Sequence, residues 1–112
     1  MKKNIKFEIE LDEKSLPVNI KMSTTDSKDS IDKIKSLMFS SWDSTKKETL
    51  RLDLWTKDMP VNEMFIMYYQ TLRGMAITLE KSTNEFKLAN ALRDYCEFFA
   101  EETKIKKTKN SE

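Results

Sequence analysis

The sequence predicts an α+β fold with the element order ββαβαα, in which helices cover one face of a three-stranded antiparallel sheet. Three segments alternate apolar and polar residues, which is the period of a strand with one buried face. Three other segments place apolar residues three and four positions apart, which is the period of an amphipathic helix. At 112 residues the chain has the length of one domain. We expect that domain at residues 1–103, followed by a charged flexible C-terminal tail at 104–112.

The first two strands are predicted to form a hairpin. The run from Ile5 to Leu11 alternates apolar and polar residues, and residues 12–16 are polar turn material. Pro17 opens a second alternating run that ends near Met22. A proline is tolerated at that position because its missing N–H lies at the end of the ladder.

A first helix is predicted next, with Asp29 or Ser30 as its N-cap. Its apolar stripe follows the spacing of three and four and consists of Ile31, Ile34, Leu37, Met38 and Trp42. After a short connection at residues 43–47, an alternating run through Leu50, Leu52 and Leu54 predicts a third strand that ends near Trp55. We prefer the strand order 2-1-3, reached by a right-handed crossover, and the order 1-2-3 remains open.

Two long helices are predicted to complete the chain as antiparallel neighbours. Asp58 is the expected N-cap of the first, with Pro60 in its first turn, and Ser82 and Glu85 have capping-box spacing for the second. The predicted core-facing residues of both helices are Val61, Met64, Phe65, Tyr68, Leu72, Met75, Ala76, Leu79, Leu88, Ala89, Leu92, Tyr95, Cys96 and Phe99. Phe98 is a further candidate for the same side.

The balance of charge argues against nucleic-acid binding. Twenty basic and 19 acidic side chains give a net charge of +1, and the two signs are mixed along most of the chain. Phosphate binding needs a concentrated positive field. No apolar run reaches the length of a membrane helix, and the acids from Glu8 to Glu13 interrupt any signal-peptide core. We therefore expect a cytoplasmic protein without direct membrane insertion.

Reactive side chains are scarce in this sequence. It has no histidine, one cysteine and one glycine. Zinc sites, histidine-activated nucleophiles and glycine-rich phosphate loops all need more of these residues. Cys96 falls at a core-facing position and is predicted to be a small buried hydrophobe. We expect no enzymatic activity and no catalytic, cofactor-binding or metal-binding residues.

Two groups of residues are candidates for contacts with another protein. One is the corner that contains Trp55, Lys57, Asp58 and Met59, where Trp55 is either an exposed anchor or folds over the edge of the core. The other lies behind the core-facing stripe of the long helix and consists of Ile66, Met67, Gln70, Gly74 and Ile77. Scattered surface apolar residues are normal, so this second face either packs against the neighbouring helix or docks another chain that approaches closely at the glycine.

Three segments resemble the GldC family of gliding motility proteins. They are LDEKSLPVNI at Leu11–Ile20, SWDSTKKETLRLDLWTKDMPVNEM at Ser41–Met64, and ALRDYCEFFAEE at Ala91–Glu102. The resemblance implies a small accessory protein of the machinery that drives surface gliding, a system that includes membrane-anchored and lipoprotein components. It carries over no catalytic residues.

The resemblance and the surplus apolar residues together predict a non-enzymatic accessory or adaptor protein of the gliding machinery. Its expected partners are other gliding-machinery proteins, membrane-associated ones included, or a second copy of itself. The alternative is a small apolar-ligand-binding module, since seven methionines and six phenylalanines could enclose such a molecule.

Overall fold

The computed structural model describes residues 1–105 and contains five strands and two long helices in that part of the chain. Their bounds are β1 (Ile5–Leu11), β2 (Pro17–Thr24), β3 (Ile31–Ile34), β4 (Ser36–Asp43), β5 (Glu48–Trp55), α1 (Val61–Thr83) and α2 (Phe86–Thr103), with a 3-10 turn at Ser27–Asp29. The chain divides into two compact units, a strand unit at Met1–Met59 and a helix unit that begins at Pro60. The α+β class is confirmed, and the order ββαβαα is wrong because five strands precede the helices.

The predicted β1–β2 hairpin is confirmed. The two strands pair antiparallel, with Ile9 opposite Ile20. The five-residue turn is organised by Asp12, whose Oδ1 accepts hydrogen bonds from the N–H groups of Lys14 at 2.8 Å and Leu16 at 3.0 Å. An aspartate that bonds to its own following backbone is a common turn-former, so this connection is specified locally.

The predicted strand order 2-1-3 is wrong. The three-stranded sheet has the order β1-β2-β3, and its third strand is the short segment Ile31–Ile34 rather than the leucine-rich run. β3 pairs antiparallel with β2, where Ile34 lies opposite Ile20. Ile20 is fully buried, so the core of this sheet is built around the central strand.

The predicted first helix is also wrong, because its residues form β3 and β4. The stripe from Ile31 to Trp42 has helical spacing, but the segment is rich in β-branched, aromatic and serine residues that favour strands or disfavour helices. β4 pairs along its whole length with β5, which satisfies its backbone groups. The pairing partner therefore outweighs the periodicity of an isolated segment.

The leucine-rich strand is confirmed as β5, and with β4 it forms a separate two-stranded sheet. Leu37 lies opposite Leu54, and Phe39 lies opposite Leu52. The four-residue turn is held by Asp43, whose Oδ1 accepts from the N–H groups of Thr45 and Lys46 at 2.9 and 3.2 Å.

The two long helices are confirmed, but their predicted caps are wrong. The N-cap of α1 is Pro60 and makes no side-chain cap hydrogen bond. Ser82 belongs to the last turn of α1 rather than to the start of α2, and its Oγ donates to the Leu79 carbonyl at 3.4 Å. α1 ends at a left-handed Asn84 (φ 59°), whose N–H donates to the Glu80 carbonyl at 2.8 Å.

α1 and α2 pack against each other as antiparallel neighbours, as predicted. The ring centroids of Phe65 and Phe99 are 6.0 Å apart in an edge-to-face arrangement. Toward the connection, Arg93 Nη2 donates to Glu80 Oε1 at 2.7 Å. The fully buried apolar residues of the pair are small: Ala76, Ala89, Cys96 and Ala100. The predicted burial of Cys96 is confirmed, and this burial raises the pKa of its thiol.

Two predictions about domain organisation stay predictions. The strands and helices lie in separate compact units, so the covering of a sheet face by helices is untested, as is the single domain at 1–103. The predicted tail lies outside the described residues from position 106 onward. Lys104 is described, and it ends α2 as a left-handed C-cap.

Candidate interaction surfaces

The corner after β5 exposes one large aromatic side chain on a tightly bonded backbone. The Trp55 side chain is 57% exposed, whereas Thr56 is fully buried. The Thr56 N–H donates to the Lys35 carbonyl at 2.7 Å, and its carbonyl accepts from the Met59 N–H at 3.1 Å. Of the two options for Trp55, the structure shows the exposed indole, next to a buried and hydrogen-bonded Thr56.

Lys57 and Asp58 at the same corner form ion pairs within the strand unit. Lys57 Nζ lies 2.9 Å from Asp12 Oδ2, and Lys35 Nζ lies 2.7 Å from Asp58 Oδ2. Thr56 Oγ1 also donates to Asp58 Oδ1 at 2.7 Å. This explains why Asp58 is not a helix cap, because both oxygens of its carboxylate already bind Lys35 and Thr56.

These bonds lower the pKa values of both carboxyls. The Lys35 ammonium, followed by the Thr56 hydroxyl, lowers the pKa of Asp58. For Asp12 the Lys57 ammonium, followed by the Leu16 N–H, lowers the pKa. A carboxyl whose pKa is lowered by folding stabilises the folded state at pH values above its unfolded-state pKa. This contribution is lost as the pH falls through the lowered pKa of the folded state. Both carboxyls are therefore ionised and paired with a lysine at neutral pH.

The second face of α1 carries exposed apolar side chains, and its role as a contact surface stays a prediction. Ile66 is 39% exposed and Ile77 is 47% exposed. Gln70 and Gly74 lie between them and are exposed, and Met67 is half-buried. Residues eleven apart share a helix face, so Ile66 and Ile77 lie at the two ends of one stripe on α1. The four corner residues and these five helix residues belong to different compact units, and each group is therefore a separate candidate surface.

Gly74 has free space around it. A Cβ atom added there meets no other heavy atom within 4 Å. An open groove of about 550 Å³ passes beside it, lined by Thr71, Gly74, Met75, Thr78, Leu79 and Ser82. Packing within the chain therefore does not require a glycine at this position.

We expect Gly74→Ala to raise the free energy of unfolding by up to about 1 kcal/mol, because alanine has the higher helix propensity and the space for its methyl group is free. Thermal unfolding measures the change. Gln70→Ala, on the same exposed face, is the matched control and should change stability by about 0.5 kcal/mol or less. A destabilised Gly74→Ala protein would contradict the prediction.

An aromatic cluster on the helix pair was missed from the sequence. It consists of Phe65, Tyr68, Tyr95, Phe98 and Phe99, with neighbouring ring centroids 6.0 to 6.3 Å apart. Tyr68, Tyr95 and Phe98 are 44%, 49% and 56% exposed. Helical periodicity identified the apolar stripe correctly but assigned all of it to the core. The width of the stripe was the available signal, since the fully buried apolar residues of the helix pair are small ones such as Ala76 and Ala89.

The β4–β5 hairpin presents an apolar surface that is not among the contact surfaces predicted from the sequence. One face carries Leu37, Phe39, Leu50, Leu52 and Leu54. Leu50 is 63% exposed and Leu52 is 44% exposed. The alternation of β5 identified this face but implied that it was buried. Within the strand unit it is a half-exposed apolar sheet face.

Both units are thus rich in exposed apolar side chains and ion-paired polar ones. No group of three or more metal-ligating side chains lies close together in residues 1–105. Within the same residues, no helix has the length and apolar character needed to cross a membrane. The fold and these surfaces define a small α+β protein whose distinguishing features are apolar contact surfaces on a hairpin and on a helix pair.

A family model described as a gliding motility-associated GldC-like protein matches residues 17–105. This match spans most of the chain, and the protein therefore belongs to the GldC-like family. The match begins at the first residue of β2, so β1 lies before it. No curated protein and no solved structure shows significant similarity to the chain.

Proposed function

We propose that this GldC-like protein is a non-enzymatic cytoplasmic adaptor that binds another protein of the gliding machinery through the aromatic cluster of its helix pair. Family membership supplies the association with gliding motility. Binding through the aromatic cluster is supported by the exposure of Tyr68, Tyr95 and Phe98, each between 44% and 56%. Clustered exposed aromatic residues are typical of protein–protein contacts, and tyrosine is enriched among residues that dominate binding energy.

The second face of α1 and the Trp55 corner remain candidate contacts beside the cluster. Ile66 and Ile77 present a narrower apolar stripe, and Trp55 presents a single indole beside the hydrogen-bonded backbone of Thr56. An anchor on a rigid backbone loses little conformational entropy on binding. We propose both as secondary contacts, with the aromatic cluster as the main one.

The test uses a gliding bacterium in which the gene for its own family member has been replaced by this one. We expect Tyr95→Asp to abolish gliding while the protein level and the melting temperature stay close to those of the parent chain, because the ring is half exposed. A photocrosslinking residue at Phe98 should join the protein to a component of the gliding machinery. Asn90→Asp, an exposed change on the same helix, is the matched control and should glide normally.

Two results would reject this proposal. One is normal gliding of the Tyr95→Asp strain without a crosslink from position 98 to any gliding protein. The other is a large fall in the melting temperature of Tyr95→Asp, which would show that the ring serves the fold instead of a partner.

A further inference from the structure

The side of β5 that faces away from β4 is a strand edge. Its backbone groups have no strand partner among the described residues. The sheet contains only these two strands. An isolated two-stranded hairpin is marginally stable in water, and a third strand adds the stability that it lacks. An unpaired edge also offers a row of N–H and C=O groups to another strand.

The hydrogen bonds at the end of the hairpin show which groups of β5 face outward. Ser36 lies opposite Trp55, so the next pair in this register is Lys35 and Thr56. The Thr56 N–H donates to the Lys35 carbonyl at 2.7 Å, and the backbone groups of Thr56 therefore point toward the β4 side. Backbone groups alternate in direction along an antiparallel strand. The backbone groups of Leu50, Leu52 and Leu54 therefore point toward β4. Those of Thr49, Arg51, Asp53 and Trp55 point toward the free edge.

The side chains of β5 are arranged symmetrically around Leu52. Leu50 and Leu54 are each two residues from it, and Arg51 and Asp53 are each one residue from it, with opposite charge. When two β5 strands pair antiparallel about a two-fold axis at Leu52, Leu52 faces Leu52 of the second copy, and Arg51 faces Asp53 of the second copy. The outward-facing groups of Arg51 and Asp53 then form the hydrogen-bonded pairs, as the direction of the backbone requires.

The charges of Arg51 and Asp53 favour the register centred on Leu52 over the two registers that are shifted by one step. A shift of one step along the outward-facing residues brings Asp53 opposite Asp53 of the second copy, and the opposite shift brings Arg51 opposite Arg51. Like charges directly opposite each other destabilise a strand pair, whereas opposite charges stabilise it. In the single chain Arg51 Nη2 already lies 2.6 Å from Asp53 Oδ1, on the polar face of the hairpin. Pairing would join two such ion pairs into a group of four charges, in which each charge has opposite charges both beside it on its own strand and across from it.

We propose that β5 is a self-pairing edge, through which two copies of this chain join into a continuous four-stranded sheet of order β4-β5-β5-β4 centred on Leu52. The apolar faces of the two hairpins, with Leu50 at 63% and Leu52 at 44% exposure, would then lie side by side. The dimer doubles the area of that face, which gives a larger apolar surface than one chain presents.

Reversal of single charges tests this pairing in the full-length chain, with molar mass measured by light scattering at a series of concentrations. The parent chain should form a dimer. Asp53→Arg and Arg51→Asp each place like charges opposite each other at both symmetric positions, and each should weaken the dimer about tenfold or more. A mixture of the two variants should form a heterodimer, and the doubly reversed chain R51D/D53R should regain the parent dimer.

The edge of β1 provides the matched control, because Lys6 and Glu8 flank Phe7 with opposite charges in a similar pattern. Glu8→Lys reverses one charge there and should leave the dimer unchanged. The proposal is overturned if the parent chain is a monomer at every concentration, or if Glu8→Lys weakens the dimer and Asp53→Arg does not. It is also overturned if R51D/D53R stays as weak as the single variants, because its restored charges would then not face each other.

Discussion

Ile20→Ala is expected to lower the free energy of unfolding of the strand unit by about 2–4 kcal/mol, because it removes a fully buried side chain from the central strand. Ile20 lies between Ile9 of β1 and Ile34 of β3. The cavity left by the substitution therefore affects all three strands. Urea unfolding, followed by hydrogen exchange of the β1 and β2 amides, measures the loss where it occurs.

Ile31→Ala is the matched control for this prediction. Ile31 is an isoleucine of the same sheet, but it is 48% exposed on the edge strand β3. Its replacement should cost about 1 kcal/mol or less, because part of the side chain already contacts water. Equal losses for the two variants would show that Ile20 is not the centre of this core.

Ala76→Asp is expected to destabilise the helix unit by about 3–5 kcal/mol. Ala76 is fully buried, so the substitution forces a larger, polar side chain into a close-packed contact. Burial raises the pKa of such a carboxyl above its unfolded value of about 3.9. The destabilisation should therefore grow as the pH rises above that value and shrink below it, where the group is protonated in both states. Thermal unfolding followed by helical circular dichroism at several pH values measures both effects.

Thr78→Asp provides the comparison for Ala76→Asp. Thr78 lies on the same helix two residues later and is exposed, and threonine and aspartate have similar helix propensities. Its replacement should change stability by about 0.5 kcal/mol or less at all pH values. A Thr78→Asp protein as unstable as Ala76→Asp would show that charge on the helix, rather than burial, causes the loss.

The sequence predicted the first hairpin and both long helices because their signals are local. Asp12 forms its turn by bonding to the residues that follow it, and Pro60 starts α1 where no N–H is needed. The segment from Ile31 to Trp42 was mispredicted because its helical spacing is also compatible with strands, and short apolar segments do not distinguish the two. Its structure depends on β2 and β5, which supply its hydrogen-bonding partners.

The candidate surfaces were predicted in part. Counting along the helix places Ile66 and Ile77 behind the core-facing stripe, whereas the sequence left open whether Trp55 is exposed or folds over the edge of the core. The aromatic cluster could not be recognised in this way, since Tyr68 and Tyr95 have the same periodicity as the buried Ala76 and Ala89. Lys57 and Asp58 look like free corner charges in the sequence, but their partners Asp12 and Lys35 come from distant positions.

The sequence by itself determined the α+β class and the positions of β1, β2, β5, α1 and α2, since each of these rests on local patterns of residue type. It also determined the family, through the resemblance of whole segments to the GldC-like family. Only the tertiary structure decided that residues 31–43 are strands, that β4 and β5 form a sheet of their own, and which apolar side chains stay exposed. The physical reason is that strand pairing and burial are properties of contacts between distant segments. Periodicity shows which side of an element is apolar, whereas the packing partner determines whether that side is covered.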